Sequence, residues 1–72
     1  MRTVKYNKSI YGSQKLFWKA IEAYSSLVSI RMSEDDQYYY CSFSDFKYEA
    51  ELTINEFNNY VLLLMQKDVF VN

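Results

Sequence analysis

Two short segments of alternating polarity constrain this chain more than any other feature. Leu27 to Met32 sets Val28, Ile30 and Met32 on one side and Ser29 and Arg31 on the other. Gln37 to Phe43 sets Tyr39, Cys41 and Phe43 against Tyr38, Tyr40 and Ser42. A period of two is the strand period, so each segment has one apolar and one polar face. The polar run Ser33-Glu34-Asp35-Asp36 between them predicts a turn, and the pair therefore predicts an antiparallel hairpin. Its apolar face needs covering.

The cover is legible on either side of the hairpin. Thr3 to Asn7 reads as a short strand with Val4 and Tyr6 on one face. A turn at Ile10-Tyr11-Gly12-Ser13 follows, with Ser13 as the helix cap. From Gln14 to about Ser26 the spacing becomes helical: Leu16 or Phe17, Ala20 with Ile21, and Tyr24 share a stripe, and Lys15, Lys19 and Glu22 lie opposite. Trp18 is a flank of that core or an exposed anchor. After a charged connection, Ser44 to Glu51, the stretch Leu52 to Asp68 reads as a second helix. Thr53 and Glu56 have capping-box spacing, Leu52 and Phe57 the spacing of a staple, and the helix is expected to start at Ile54. Ile54, Phe57, Val61, Leu64 and Met65 form its core stripe, leaving Tyr60, Leu62 and Leu63 outside it. Val69-Phe70-Val71 is either a tail or a short fourth strand.

The order is β-α-β-β-α, an α+β arrangement in which a three-stranded sheet carries two helices on one face. The β-α-β step is expected to cross over right-handed. Whether the third strand enters between the first two or lies outside them, an edge strand is left open. No proline and the single Gly12 mean no linker, so residues 1–72 are expected to form a single domain.

At 72 residues such a domain is marginally stable. Cys41 is the lone cysteine and there is no histidine, so neither an internal disulfide nor a Cys/His zinc site is available. A rich core or a partner must compensate, and eight tyrosines and five phenylalanines favour both. The net charge of −1 gives no basis for nucleic-acid binding. The start MRTVKYNK lacks the apolar core of a signal peptide and no stretch approaches the roughly 20 apolar residues of a membrane span. With one unpaired cysteine, cytoplasmic residence is expected, and no membrane association.

Catalytic chemistry finds few carriers here. No histidine base is present, and Cys41 alternates inward, where a small hydrophobe is the better account than a nucleophile. Glu34-Asp35-Asp36 lacks the ligand spacing of a calcium loop and reads as a solvated hairpin tip. No cofactor or metal is expected, and the chain reads as a non-enzyme. The open sheet face, with Tyr38, Tyr40, Ser42, Ser29, Arg31 and Lys5, is a candidate partner surface, since polar-tipped aromatics concentrate where proteins meet. Tyrosines are also good strand formers, which is the plainer account. Tyr60, Leu62 and Leu63 suggest a docking or homodimer surface on the last helix, or a core that wraps further round it.

Two stretches carry a likeness to a known family. SIYGSQKLFWKAIEAY has Tyr11 and a small turn residue ahead of a helix with Ala20 or Ala23 and Tyr24, and Phe57-Asn58-Asn59-Tyr60-Val61-Leu62 is similar to a Leu-Asn-Asp-Tyr signature in a final helix. In these the chain resembles the HxsD family, the small D-type accessory proteins of the His-Xaa-Ser peptide-modification system. It departs from the family pattern at Asn59, which stands for an acidic residue, and at Leu63, which stands for arginine. The resemblance implies a non-catalytic partner of a radical S-adenosylmethionine maturase and of its precursor peptide. Having no histidine, this chain is not itself the repeat-bearing precursor. The competing expectation is a free-standing interaction module or homodimer, of the inhibitor, antitoxin-like or phage-encoded kind.

Overall fold

The computed structural model describes residues 1–70. Strand β1 (Arg2–Asn7) leads into a single helical turn, α1 (Lys8–Tyr11), and then α2 (Lys15–Ala23); β2 (Ser29–Glu34) and β3 (Tyr38–Ser44) form the hairpin, and α3 (Ala50–Phe70) closes the chain. The sheet order is β1-β3-β2, with both outer strands antiparallel to β3. This is the expected α+β domain, with the third strand inserted between the first two.

The hairpin lies where alternation put it, displaced by one or two residues at its ends. Ser33 and Glu34 extend β2 instead of belonging to the turn: Glu34 pairs with Tyr39 in the ladder and accepts a 2.6 Å ion-pair bond from Lys8, the first residue of α1. The turn that remains is held by Asp35, whose Oδ1 accepts the Gln37 and Tyr38 amides at 2.8 and 2.7 Å. Its side chain thus supplies the turn bonds from within.

Tyr6, Tyr39, Cys41 and Phe43 fill the inner sheet face, and Leu16, Phe17 and Ala20 of α2 and Ile54, Phe57 and Val61 of α3 pack onto it. The aromatic rings interlock. Phe43 meets Phe57 edge-on at 5.1 Å, and Phe17 lies 4.8 Å from Tyr6 and 5.2 Å from Tyr39. Each fully buried Phe contributes about 1.5–3 kcal/mol of transfer free energy, and together they supply what a missing disulfide does not. The tyrosine hydroxyls find distant partners. Tyr6 donates to Asn58 Oδ1 at 2.5 Å, Tyr39 to the Gly12 carbonyl at 2.7 Å, and Tyr24 to the Glu56 carbonyl at 3.2 Å. Both helices are thereby tied by polar as well as apolar contacts.

Three local expectations need correction. First, α3 begins at Ala50, one turn before Ile54. Its cap is Glu49, whose carboxylate accepts the Glu51 and Leu52 amides at 3.3 and 3.0 Å while its carbonyl takes the Thr53 amide at 3.0 Å. Thr53 is inside the helix, 6% exposed, and its hydroxyl donates back to the Glu49 carbonyl at 2.9 Å. Leu52 is 53% exposed and forms no staple with the buried Phe57. Second, Lys8 to Tyr11 is helical, because the Asn7 side chain accepts the Ser9 amide at 2.9 Å and caps the turn. Gly12, at φ 71° and ψ −83°, ends it, and the Ser13 amide bonds the Tyr11 carbonyl around it at 2.9 Å, a three-residue turn that a side chain would strain. Third, α2 ends at Ala23, earlier than Ser26. Of Val69-Phe70-Val71, the first two residues continue α3 and Val71 lies outside the described residues.

Candidate functional site

The outer sheet face gathers the side chains that the alternation singled out. Tyr38 and Tyr40 stand two residues apart on the central strand with ring centres 6.2 Å apart. Lys5 lies across from Tyr40 on β1 and sets its Nζ 4.6 Å from the centre of the Tyr38 ring. Tyr40 donates its hydroxyl to Asp35 Oδ2 at 2.6 Å. That bond, followed by the Gln37 and Tyr38 amides, holds the Asp35 carboxyl below its ordinary range, and the same bond raises the Tyr40 phenol. Ser42 lies between Thr3 on β1, 3.1 Å away, and Arg31 on β2. Tyr38, Tyr40, Ser42 and Arg31 therefore form one surface.

The three α3 candidates do not form another. Tyr60 turns toward α2 and meets Tyr24 edge-on at 5.7 Å, against the core. Leu62 and Leu63 remain 43% and 57% exposed. Leu62, two residues from Tyr60, lies off its helix face, and Leu63, three residues on, stays exposed where Tyr60 packs against the core. Trp18 is 51% exposed and so not a buried flank of the core.

The edges follow from the phase of the ladder. The Asp35 amide bonds the Tyr38 carbonyl at 3.0 Å and the Lys8 amide bonds the Gln37 carbonyl at 2.9 Å. In an antiparallel pair hydrogen-bonded positions recur every second residue. On β2 the odd-numbered residues therefore face β3, and Ile30, Met32 and Glu34 direct their N–H and C=O groups away from the sheet. On β1 the outward groups belong to Thr3, Lys5 and Asn7 by the same rule.

Beside the β2 edge is a cleft of about 430 Å³. Ile21 of α2 and Val28 and Ile30 give it an apolar wall, and Ser29, Arg31 and Asp45 a polar rim. Asp45 closes β3 in the left-handed region at φ 52°, a conformation Asp adopts more readily than most residues. The displaced bond from the Lys47 amide to the Leu27 carbonyl, 2.9 Å, follows from that turn and ends the ladder beside the cleft. Ile21, Val28 and Asp45 were not singled out as site residues in the sequence. The inward alternation of Val28 and Ile30 was visible there, but that Ile21 and Asp45 would be brought beside them was not.

Cys41 is fully buried, and burial pushes its thiol up to about 12, so it holds its proton at neutral pH. Among the described residues no group of three or more His, Cys, Asp or Glu side chains is placed to share a metal ion, and no helix is long and apolar enough to cross a membrane. Comparison of the chain with protein-family models, with curated proteins and with solved structures gives no match.

Proposed function

We propose that the protein is a non-catalytic accessory module that holds an extended peptide as a fourth strand against β2. The observation that carries this reading is a strand edge with no partner among the described residues and a side-chain cleft beside it. A strand added there takes main-chain bonds from Ile30, Met32 and Glu34, and those bonds are indifferent to sequence. Its side chains alternate: one set reaches the Ile21, Val28 and Ile30 wall, and the other lies beside Arg31 and Ser33 on the face that Tyr40 shares. Affinity and selectivity thus come from different atoms.

In this reading the resemblance to the D-type accessory proteins supplies the partners: a precursor carrying His-Xaa-Ser repeats is the strand, and a radical S-adenosylmethionine maturase is the enzyme it is presented to. The exposed Leu62 and Leu63 on α3 give the enzyme an apolar contact away from the peptide. Cytoplasmic residence belongs to the same reading.

Titration of the isotope-labelled protein with a synthetic His-Xaa-Ser repeat peptide tests it. The expected result is altered shifts and slowed exchange at the amides of Ile30, Met32 and Glu34, with Thr3, Lys5 and Asn7 unmoved. No association with the peptide at micromolar concentration, or changes confined to the β1 edge, overturns it.

A further inference from the structure

We infer that the β2 edge, when empty of peptide, is covered by the β2 of a second copy of this chain, paired antiparallel about a two-fold axis. This rests on the peptide reading of the same edge and adds its regulation, since peptide and second copy compete for the same N–H and C=O groups.

An open strand edge is an association hazard that folded proteins blunt with charge or cover with another element. The two edges of this sheet differ in that respect. Along β1 the charged residues Arg2 and Lys5, with Lys8 just beyond the strand, are all cationic, so pairing of β1 with itself offers no opposite charge to any of them. Such a strand protects itself. Along β2 the charges have both signs in a fixed order, with Arg31 near the middle and Glu34, Asp35 and Asp36 at the end. Running the same strand in the opposite direction brings the cation of each copy toward the anions of the other.

The ladder phase restricts the register. Outward groups belong to even-numbered residues of β2, so only registers that set even against even complete the bonds. The register with Met32 opposite Glu34 of the second copy sets Ser33 opposite its own copy and Arg31 opposite Asp35. Arg31 and Asp35 of the second copy are then direct cross-strand neighbours on the outer face, with Cβ atoms about 4.5–5.5 Å apart. Asp35 is a prepared acceptor, because three bonds of 2.6 to 2.8 Å already fix its carboxylate in the turn. On the inner face the half-buried Met32 meets Met32 of the second copy on the diagonal across the axis and covers its exposed flank. The β1 edge offers no equivalent.

The chain is short enough for chemical synthesis, which permits a direct test. Sedimentation of the wild-type chain over a micromolar to millimolar series is expected to show a monomer–dimer equilibrium. N-methylation of the Met32 amide, which points away from the sheet, is expected to leave the circular dichroism intact and the chain monomeric. The same modification at Lys5 on β1 is expected to leave the dimer. Arg31→Glu is expected to weaken the dimer about tenfold, the effect of roughly 1.4 kcal/mol. Saturating peptide is expected to return wild type to monomer. A chain that is monomeric throughout and still binds peptide overturns this inference and leaves the peptide reading standing. So does a dimer indifferent to Met32 methylation, or an open-ended polymer, which would mark β1-to-β2 stacking. Dimerisation abolished by Met32 methylation, with no affinity for peptide, supports the pairing and removes the peptide reading.

Discussion

The Tyr6 hydroxyl donates to the Asn58 side-chain oxygen at 2.5 Å, joining the first strand to the last helix across 52 positions of sequence. Tyr6 is buried against Tyr11 and Phe17, so its hydroxyl has few other acceptors, and burial raises its phenol well above the ordinary range. Removing one partner leaves the other unsatisfied, which costs more than the net worth of the bond. Tyr6→Phe and Asn58→Ala are each expected to destabilise the fold by about 1–2 kcal/mol. The double variant should cost less than the sum, with a coupling near 1 kcal/mol in a urea-denaturation cycle. Simple additivity would mean that the bond contributes nothing.

That contact also explains what the family-like residues do in this fold. Phe57 is fully buried, Asn58 accepts from Tyr6, and Tyr60 meets Tyr24. Tyr11 packs on Tyr6, Ala20 is fully buried, and Tyr24 reaches the Glu56 carbonyl. Each seats a helix on the sheet. A likeness carried by these positions is a likeness in how α2 and α3 dock.

The faces of the sheet were legible because strand parity is insensitive to errors at the ends: Val28, Ile30, Met32, Tyr39, Cys41 and Phe43 all point inward although both hairpin strands shifted. Ends were less legible because side-chain bonds set them. Glu34 pairs with Tyr39 in the ladder and bonds Lys8, a pair formed only after β1 and β2 assemble. The start of α3 was misread because Thr53 and Glu56 satisfy a spacing rule, while the cap, Glu49, belongs to a residue type seldom used there. The tyrosine face needed only parity; the cleft needed Ile21 and Asp45 brought beside β2 by tertiary packing, which no local pattern announces.

The two capping assignments predict different substitutions. Glu49→Ala removes a carboxylate that accepts two amides at the positive end of the helix dipole. It is expected to cost about 0.5–1 kcal/mol, and Glu56→Ala less than about 0.5. Urea midpoints with equal slopes measure the difference. Equal effects at the two positions would restore the later start.

Alkaline pH should unfold the protein for an identifiable reason. Burial raises the Cys41 thiol from 9.0 to about 12 and moves the Tyr6 phenol the same way. A raised acid binds its proton more tightly in the folded chain, so the stabilisation is complete below the ordinary value and declines as pH rises from about 9 toward 12. The urea midpoint is expected to fall between about pH 8 and about pH 11. Cys41→Ala should flatten part of that slope while lowering stability at neutral pH by about 1 kcal/mol or more through the cavity it leaves. A slope unchanged by the substitution would assign the whole effect to other groups.

Tyr40 should report on Asp35. Its hydroxyl bond is the largest cause of the low Asp35 titration, ahead of the two amides. Tyr40→Phe is expected to move the Asp35 carboxyl toward its ordinary 3.8, as followed by the side-chain carbon resonance, while the amides of Gln37 and Tyr38 still hold it below that value. No movement would mean that the hydroxyl bond is absent in solution.

Leu62 and Leu63 separate folding from association. Both are exposed on a helix whose core side is occupied by Ile54, Phe57 and Val61. Leu62→Glu with Leu63→Lys therefore removes no core contact and is expected to shift stability by less than about 0.5 kcal/mol per position. The proposed peptide edge is on β2, so the amide shifts that peptide causes there should be unchanged. Under the accessory reading, co-purification with the radical enzyme should fall at least tenfold. Wild-type recovery of the enzyme by the double variant would remove α3 from that interface, and a large loss of stability would show that its outer surface is part of the core.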